Sequence, residues 1–155
     1  MRRIYMLIDE NQVFLNLDLE KKEEVLKFIS NKAFEMNIVE SEERLLKELI
    51  EREEKYPTAV EELIAIPHSK STNIKEAKLF FIKLKNKIDW NSPDNYKVKV
   101  LFTILVPESG AQNEHIAILS KVAVNLLEED FQNFILEVED KNQIINYLKE
   151  NIFNN

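Results

Sequence analysis

Tyr96 to Val106 limits the fold more than any other stretch of this chain. It begins by alternating, with Val98 and Val100 set against Lys97 and Lys99, as in a strand with one face in water. From Val100 to Val106 it becomes apolar on both faces. Such a strand must lie inside a sheet covered on two sides. The run is far too short for a membrane span, which needs about 20 residues.

The rest of the sequence supplies candidate layers. Val13, Leu15 and Leu17 alternate as in a short strand, and Val25, Ile29, Ala33 and Met36 follow at helical spacing. Ser41 is placed to cap a second helix carrying Leu45, Leu46, Leu49 and Ile50, which must stop before Pro57. Leu63 to Ile66 reads as a buried strand closed by Pro67, and Lys78 to Leu84 as another, followed by a turn region from Asp89 to Asn95. Pro107 is expected to end the central strand. Asn113 is then expected to cap a long helix with Ile116, Leu119, Val122, Ala123 and Leu126 inward. Two shorter helices, around Phe131 to Leu136 and Gln143 to Leu148, finish the chain, the last capped by Asp140. The predicted fold class is α/β: a three-layer α/β/α domain with a mixed, roughly five-stranded sheet flanked by helices. At 155 residues, with no repeat and no linker-like tract, one domain over 1–155 is expected.

Composition narrows the chemistry. A net charge of −7 disfavours a nucleic-acid partner, which calls for a basic footprint. There is no cysteine, which excludes disulfides, Cys-based zinc sites and thiol nucleophiles, and is compatible with a reducing compartment. Arg2 and Arg3 before Ile4 to Ile8 look faintly like a signal peptide, but the apolar stretch is short and Asp9 and Glu10 follow at once, so no leader is expected.

The chain has two histidines, His68 and His115, each predicted in or beside a loop just past a strand. Ligands gather at strand ends in open α/β sheets, and imidazole is suited to carry a proton or a phosphoryl group near neutral pH. By position alone, both are equally readable as surface residues with no chemical duty. If Asn113 caps its helix, His115 lies in the first turn, where unpaired N–H groups favour an anion. A metal site from His68, His115 and Glu114 lacks any close-spaced ligand pair, and Ser69 lacks a nucleophile elbow, so neither a metal nor a serine-hydrolase centre is expected.

Three segments together carry a family likeness. Ile64-Ala65-Ile66-Pro67-His68-Ser69-Lys70 resembles the active-site signature of enzyme IIA domains (EIIA, type 2, fructose–mannitol) of the phosphoenolpyruvate:sugar phosphotransferase system. Val106-Pro107-Glu108 with Asn113-Glu114-His115-Ile116 resembles the second motif, and Leu49-Ile50-Glu51-Arg52-Glu53 a third, in the family's order and spacing. The resemblance runs from about Met6 to about Leu148. It implies that His68 is phosphorylated by the phosphocarrier HPr, on Nε2, with the proton on Nδ1 held by a backbone carbonyl. It implies that Arg52 and His115 assist, with Thr58, Asn113 and Lys70 near the phosphate. Each helper also has a plain reading: Arg52 as a solvated helix charge, Thr58 as a turn residue, and Lys70 as a surface charge or a guide for partners.

The implied partners are HPr as donor and a separate EIIB, with its acceptor cysteine, as recipient. The implied setting is cytoplasmic, with no cofactor, no membrane insertion, and association with the membrane EIIC through EIIB. The sugar class is fructose-like, mannitol or galactitol, since Tyr56-Pro57-Thr58 resembles the galactitol-type branch and Asn113-Glu114-His115 the fructose type. The alternatives are a nitrogen-type regulatory EIIA that acts by binding proteins, and a degenerate module no longer phosphorylated. One departure motivates the last. Where the family has a T-G-x-G-x-G turn, this chain has Thr58-Ala59-Val60-Glu61-Glu62-Leu63, without glycine. The segment must take another path or hold strained residues.

Overall fold

The structure, a computed structural model, describes residues 7–108 and 112–152. Six strands form one mixed sheet: β1 (Val13–Leu17), β2 (Ala59–Glu61), β3 (Leu63–Ala65), β4 (His68–Ser71), β5 (Lys78–Asp89) and β6 (Lys97–Pro107). Among the described residues five α-helices accompany it: α1 (Lys22–Glu35), α2 (Glu42–Lys55), α3 (Gln112–Asn125), α4 (Glu129–Glu137) and α5 (Lys141–Asn151), with a short 3-10 turn at Glu10–Gln12. The sheet order is β1-β5-β6-β3-β2, with β4 also on β6. β5 runs antiparallel to β6, while β1 is parallel to β5 and both β3 and β4 are parallel to β6.

β6 is the spine, and its burial follows from its composition: Val98 and every residue from Val100 to Val106 are buried. Phe102, Ile104 and Val106 join one core with Phe81 and the inward faces of α3, α4 and α5. Phe81 meets Phe102 edge-on at 5.1 Å, and Phe102 stacks on Phe131 at 5.9 Å, a ladder from sheet to helices. Leu101 and Leu105 face a second core built by α1 and α2 with the fully buried Trp90. Both faces of the strand are thus covered, as its continuous apolar run requires.

Several details differ from the sequence reading. The sheet has six strands because the chain near Pro67 forms two short ones. β3 pairs with β6 from Leu63↔Val98 to Ala65↔Leu101, and β4 resumes on the same edge from His68↔Ile104 to Ser71↔Pro107. Ile66 and Pro67 bridge the interruption, with Ile104 N–H donating to the Pro67 carbonyl at 3.1 Å. His68 is therefore the first residue of a strand rather than a loop residue. β5 continues past Leu84 to Asp89, because Ile88↔Val98 and Asp89↔Lys97 keep the pairing after a bulge. Pro107 ends β6 as its last residue, in line with the expectation, but α3 begins at Gln112, one residue ahead of Asn113, which is therefore not the residue before the helix. The side chains of Asn113, His115, Ile116 and Leu119 lie outside the described residues.

The glycine-free segment folds as a hairpin in which β2 lies antiparallel to β3. Leu63 takes the positive φ, 75°, that a glycine would supply. A left-handed conformation costs a residue with a Cβ about 1–2 kcal/mol. Both truncations at this position remove the leucine side chain, but glycine alone relieves the strain. Leu63→Gly is therefore expected to be more stable than Leu63→Ala by about 1 kcal/mol in urea denaturation. An alanine variant of equal or greater stability would contradict the assigned strain.

Candidate functional site

Helix α2 delivers the first part of the site. Ser41 caps it by accepting from Arg44 N–H at 3.1 Å, Glu42 and Glu43 occupy its first turn, and Arg52 and Lys55 its last, each charge sign matching the helix dipole. The helix ends at Tyr56, whose N–H reaches the Arg52 carbonyl, and Pro57 prevents continuation. Arg52 is pinned at this end by a 2.7 Å hydrogen bond from its guanidinium to the Tyr56 carbonyl.

The second part is His68, half-buried at the start of β4. Its Nδ1 lies 2.8 Å from the Ile66 carbonyl oxygen, and its Nε2 lies 3.2 Å from Arg52 Nε. A carbonyl can only accept and a guanidinium can only donate. The contacts together fit one state of the ring, the neutral imidazole with its proton on Nδ1 and a lone pair on Nε2. An imidazolium would point N–H at N–H across the Arg52 contact, and the other tautomer would lose both bonds.

Around this pair lies an open cleft of about 320 Å³, lined by Glu48, Glu51, Arg52, Lys55, His68, Ser69 and Lys70. Its lining sets three cations, Arg52, Lys55 and Lys70, against two carboxylates, Glu48 and Glu51, so the cleft beside Nε2 is lined with a net positive charge. Lys70, exposed on β4, belongs to this lining.

Thr58 does not. It is 2% exposed and its hydroxyl is hydrogen-bonded to Glu53 Oε2, so the expected phosphate contact is replaced by a structural one. Arg52, His68 and Lys70 are thus brought together. His115 and Asn113 occur in α3, which starts five residues beyond Pro107, but their side chains lie outside the described residues.

Glu53, Trp90 and Lys22 escaped the sequence reading. Glu53, 5% exposed, accepts from Thr58 N–H at 3.0 Å, from Trp90 Nε1 at 3.0 Å and from Lys22 Nζ at 2.8 Å, besides the Thr58 hydroxyl. Lys22 also donates to the Trp90 carbonyl at 3.1 Å and stands 5.1 Å over its ring. A signal was present in the sequence: Glu53 falls at helical spacing after Leu45 and Leu49, a carboxylate on the inward stripe. A charge there must be paired. Among the described residues, no group of three or more His, Asp or Glu converges as a metal would need.

Residues 6–151 match the family model described as phosphoenolpyruvate-dependent sugar phosphotransferase system, EIIA 2. The chain belongs to this family. Among its EIIA relatives is the fructose-specific EIIA component of Haloferax volcanii, 33% identical over 83% of each chain. The chain spans 19–23% of the length of longer relatives named as EIIABC components. In fold, it matches the nitrogen regulatory protein IIA-Ntr of Neisseria meningitidis (TM-score 0.85, 23% identity, covering 96% of this chain and 99% of that one). It also matches mannitol IIA in its complex with phosphorylated IIB from Escherichia coli (TM-score 0.78, 17% identity, covering 92% and 97%). Among the described residues of this EIIA, no helix is long and apolar enough to cross a membrane.

The site geometry carries a direct test. Nitrogen NMR of His68 in the free protein, with the ring in its neutral form, is expected to show the protonated-type shift at Nδ1 and the lone-pair-type shift at Nε2. The reversed assignment would contradict the two contacts.

Proposed function

We propose that this EIIA is a phosphoryl carrier that accepts phosphate on His68 Nε2 from phospho-HPr and passes it to the cysteine of a separate EIIB. The observation that carries this reading is the pair of contacts on the His68 ring, Nδ1 to the Ile66 carbonyl and Nε2 to Arg52, which suit a lone pair on Nε2 and a proton on Nδ1. In the first step the Nε2 lone pair attacks phosphorus. The new N–P bond forms as the donor's N–P bond breaks, and the electron pair returns to the donor's ring. In the second step a cysteine thiolate attacks the same phosphorus, and the bonding pair returns to Nε2.

Little covalent chemistry is asked of the protein in such a transfer, so alignment and charge stabilisation do most of the work. Arg52 covers Nε2 in the resting site. As phosphorus approaches, its planar fork would turn from the nitrogen to the phosphoryl oxygens, trading one acceptor for two. His115 would donate from the first turns of α3, where Asn113 and the helix N–H groups add to the field. Lys70 would guide the incoming anion.

The match with the Haloferax relative favours a fructose-like sugar class, and the E. coli complex supports an EIIB partner. With residues 1–155 acting as one cytoplasmic domain, contact with a membrane EIIC would run through EIIB. No cofactor or metal takes part.

The test is phosphoryl transfer from phosphoenolpyruvate through enzyme I and HPr. Wild type is expected to take up one acid-labile phosphate, and His68→Ala none. Arg52→Ala is expected to be slowed about 10²–10³-fold, as for loss of one donor to developing charge, and His115→Ala is expected to be slowed with the fold intact. Uptake by His68→Ala equal to wild type would overturn the site, and no uptake by wild type would overturn the activity. Uptake on His68 without discharge to an EIIB would replace transport by the regulatory, nitrogen-type role.

A further inference from the structure

The geometry points to Glu53 as a positioning residue that sets the reactive tautomer of His68 through Thr58 and Ile66, an inference resting on the phosphoryl-carrier reading above. Glu53 never reaches the imidazole. Its carboxylate holds Thr58 at two points, the N–H at 3.0 Å and the hydroxyl, and so fixes the start of β2. The Thr58 carbonyl accepts from Ile66 N–H at 2.9 Å. Ile66 in turn presents its own carbonyl to His68 Nδ1 at 2.8 Å.

The Ile66–Pro67 peptide has no N–H of its own. The direction of its carbonyl therefore rests on what holds Ile66 from behind and Pro67 from ahead. Ahead, Ile104 N–H grips the Pro67 carbonyl at 3.1 Å. Behind, the grip is Thr58, and behind Thr58 is Glu53.

The anchor is itself made rigid. Lys22 and the Trp90 indole bring two further donors to Glu53 Oε1, tying α1, α2 and the turn after β5 to one buried carboxylate. Breaking a buried pair of this kind leaves an uncompensated charge and loosens whatever it holds. Arg52 is the preceding residue on the same helix turn. One turn of α2 thus addresses both ring nitrogens, Nε2 by the Arg52 guanidinium and Nδ1 by the Glu53-held chain of hydrogen bonds. Loss of the Glu53 link would let the Ile66 carbonyl swing away and let the ring relax toward the Nε2–H form, which has no lone pair facing the cleft.

Glu53→Gln, Thr58→Val and Thr58→Ser separate this role from plain stability. Each is read by His68 ring nitrogen NMR in the free protein and by the rate of transfer from phospho-HPr, with circular dichroism as the check on folding. Glu53→Gln and Thr58→Val are expected to show a mixture of tautomers and a rate lowered by up to about a hundredfold, the scale of a small misplacement of reacting groups. Thr58→Ser, which keeps the hydroxyl, is expected to restore both. If Glu53→Gln does not fold, the Thr58 pair decides the matter. Folded Glu53→Gln or Thr58→Val variants with the wild-type tautomer would overturn the inference, as would Thr58→Ser behaving like Thr58→Val. The tautomer readout needs no phosphoryl donor, so a wild type that takes up no phosphate would sink the carrier reading while leaving this one still decided.

Discussion

His68 is held between a group that can only accept and a group that can only donate, and the rest of the site follows from that clamp. The Ile66 carbonyl takes the Nδ1 proton and the Arg52 guanidinium takes the Nε2 lone pair. The carbonyl alone would also suit an imidazolium, and the Arg52 contact excludes that, because it needs a lone pair on Nε2. The two together suit only the neutral, Nδ1-protonated form. In the proposed transfer no general base is then needed, because no proton has to leave Nε2 before attack.

The clamp explains why the sheet is interrupted where it is. Had β3 run into β4 without a break, the Ile66 carbonyl would point along the ladder toward a strand N–H and not back to an imidazole two residues on. Pro67 breaks the ladder, and β6 recovers both halves on one edge, from Leu63↔Val98 to Ser71↔Pro107. The stiffness of β6, apolar on both faces and sandwiched between two cores, gives the fixed rail this arrangement needs. The helix that carries Arg52 shares one core with that rail through Leu45 and Leu49.

Much of this was legible in the residues. The central strand, the caps at Ser41 and Asp140 and the stop before Pro57 follow from periodicity and capping chemistry, and the structure places them accordingly. The pairing of His68 with Arg52 came from family resemblance, since no spacing rule links residues 16 apart on a helix and a strand. What stayed hidden depends on tertiary contact. The resemblance implies Thr58 as a phosphate neighbour, but a buried carboxylate takes its hydroxyl. The hairpin at Ala59–Glu61 was not visible because it needs Leu63 in a conformation usually left to glycine. Asp89 was assigned to a turn, whereas pairing with Lys97 keeps it in a strand.

The most direct measurement is the position of the phosphorus itself. In chain labelled with ¹⁵N at histidine and phosphorylated through HPr, nitrogen–phosphorus coupling identifies the bonded atom. The clamp demands coupling to Nε2 of His68 while Nδ1 keeps its proton. Phosphorus bonded to Nδ1, or to any residue other than His68, would contradict the account.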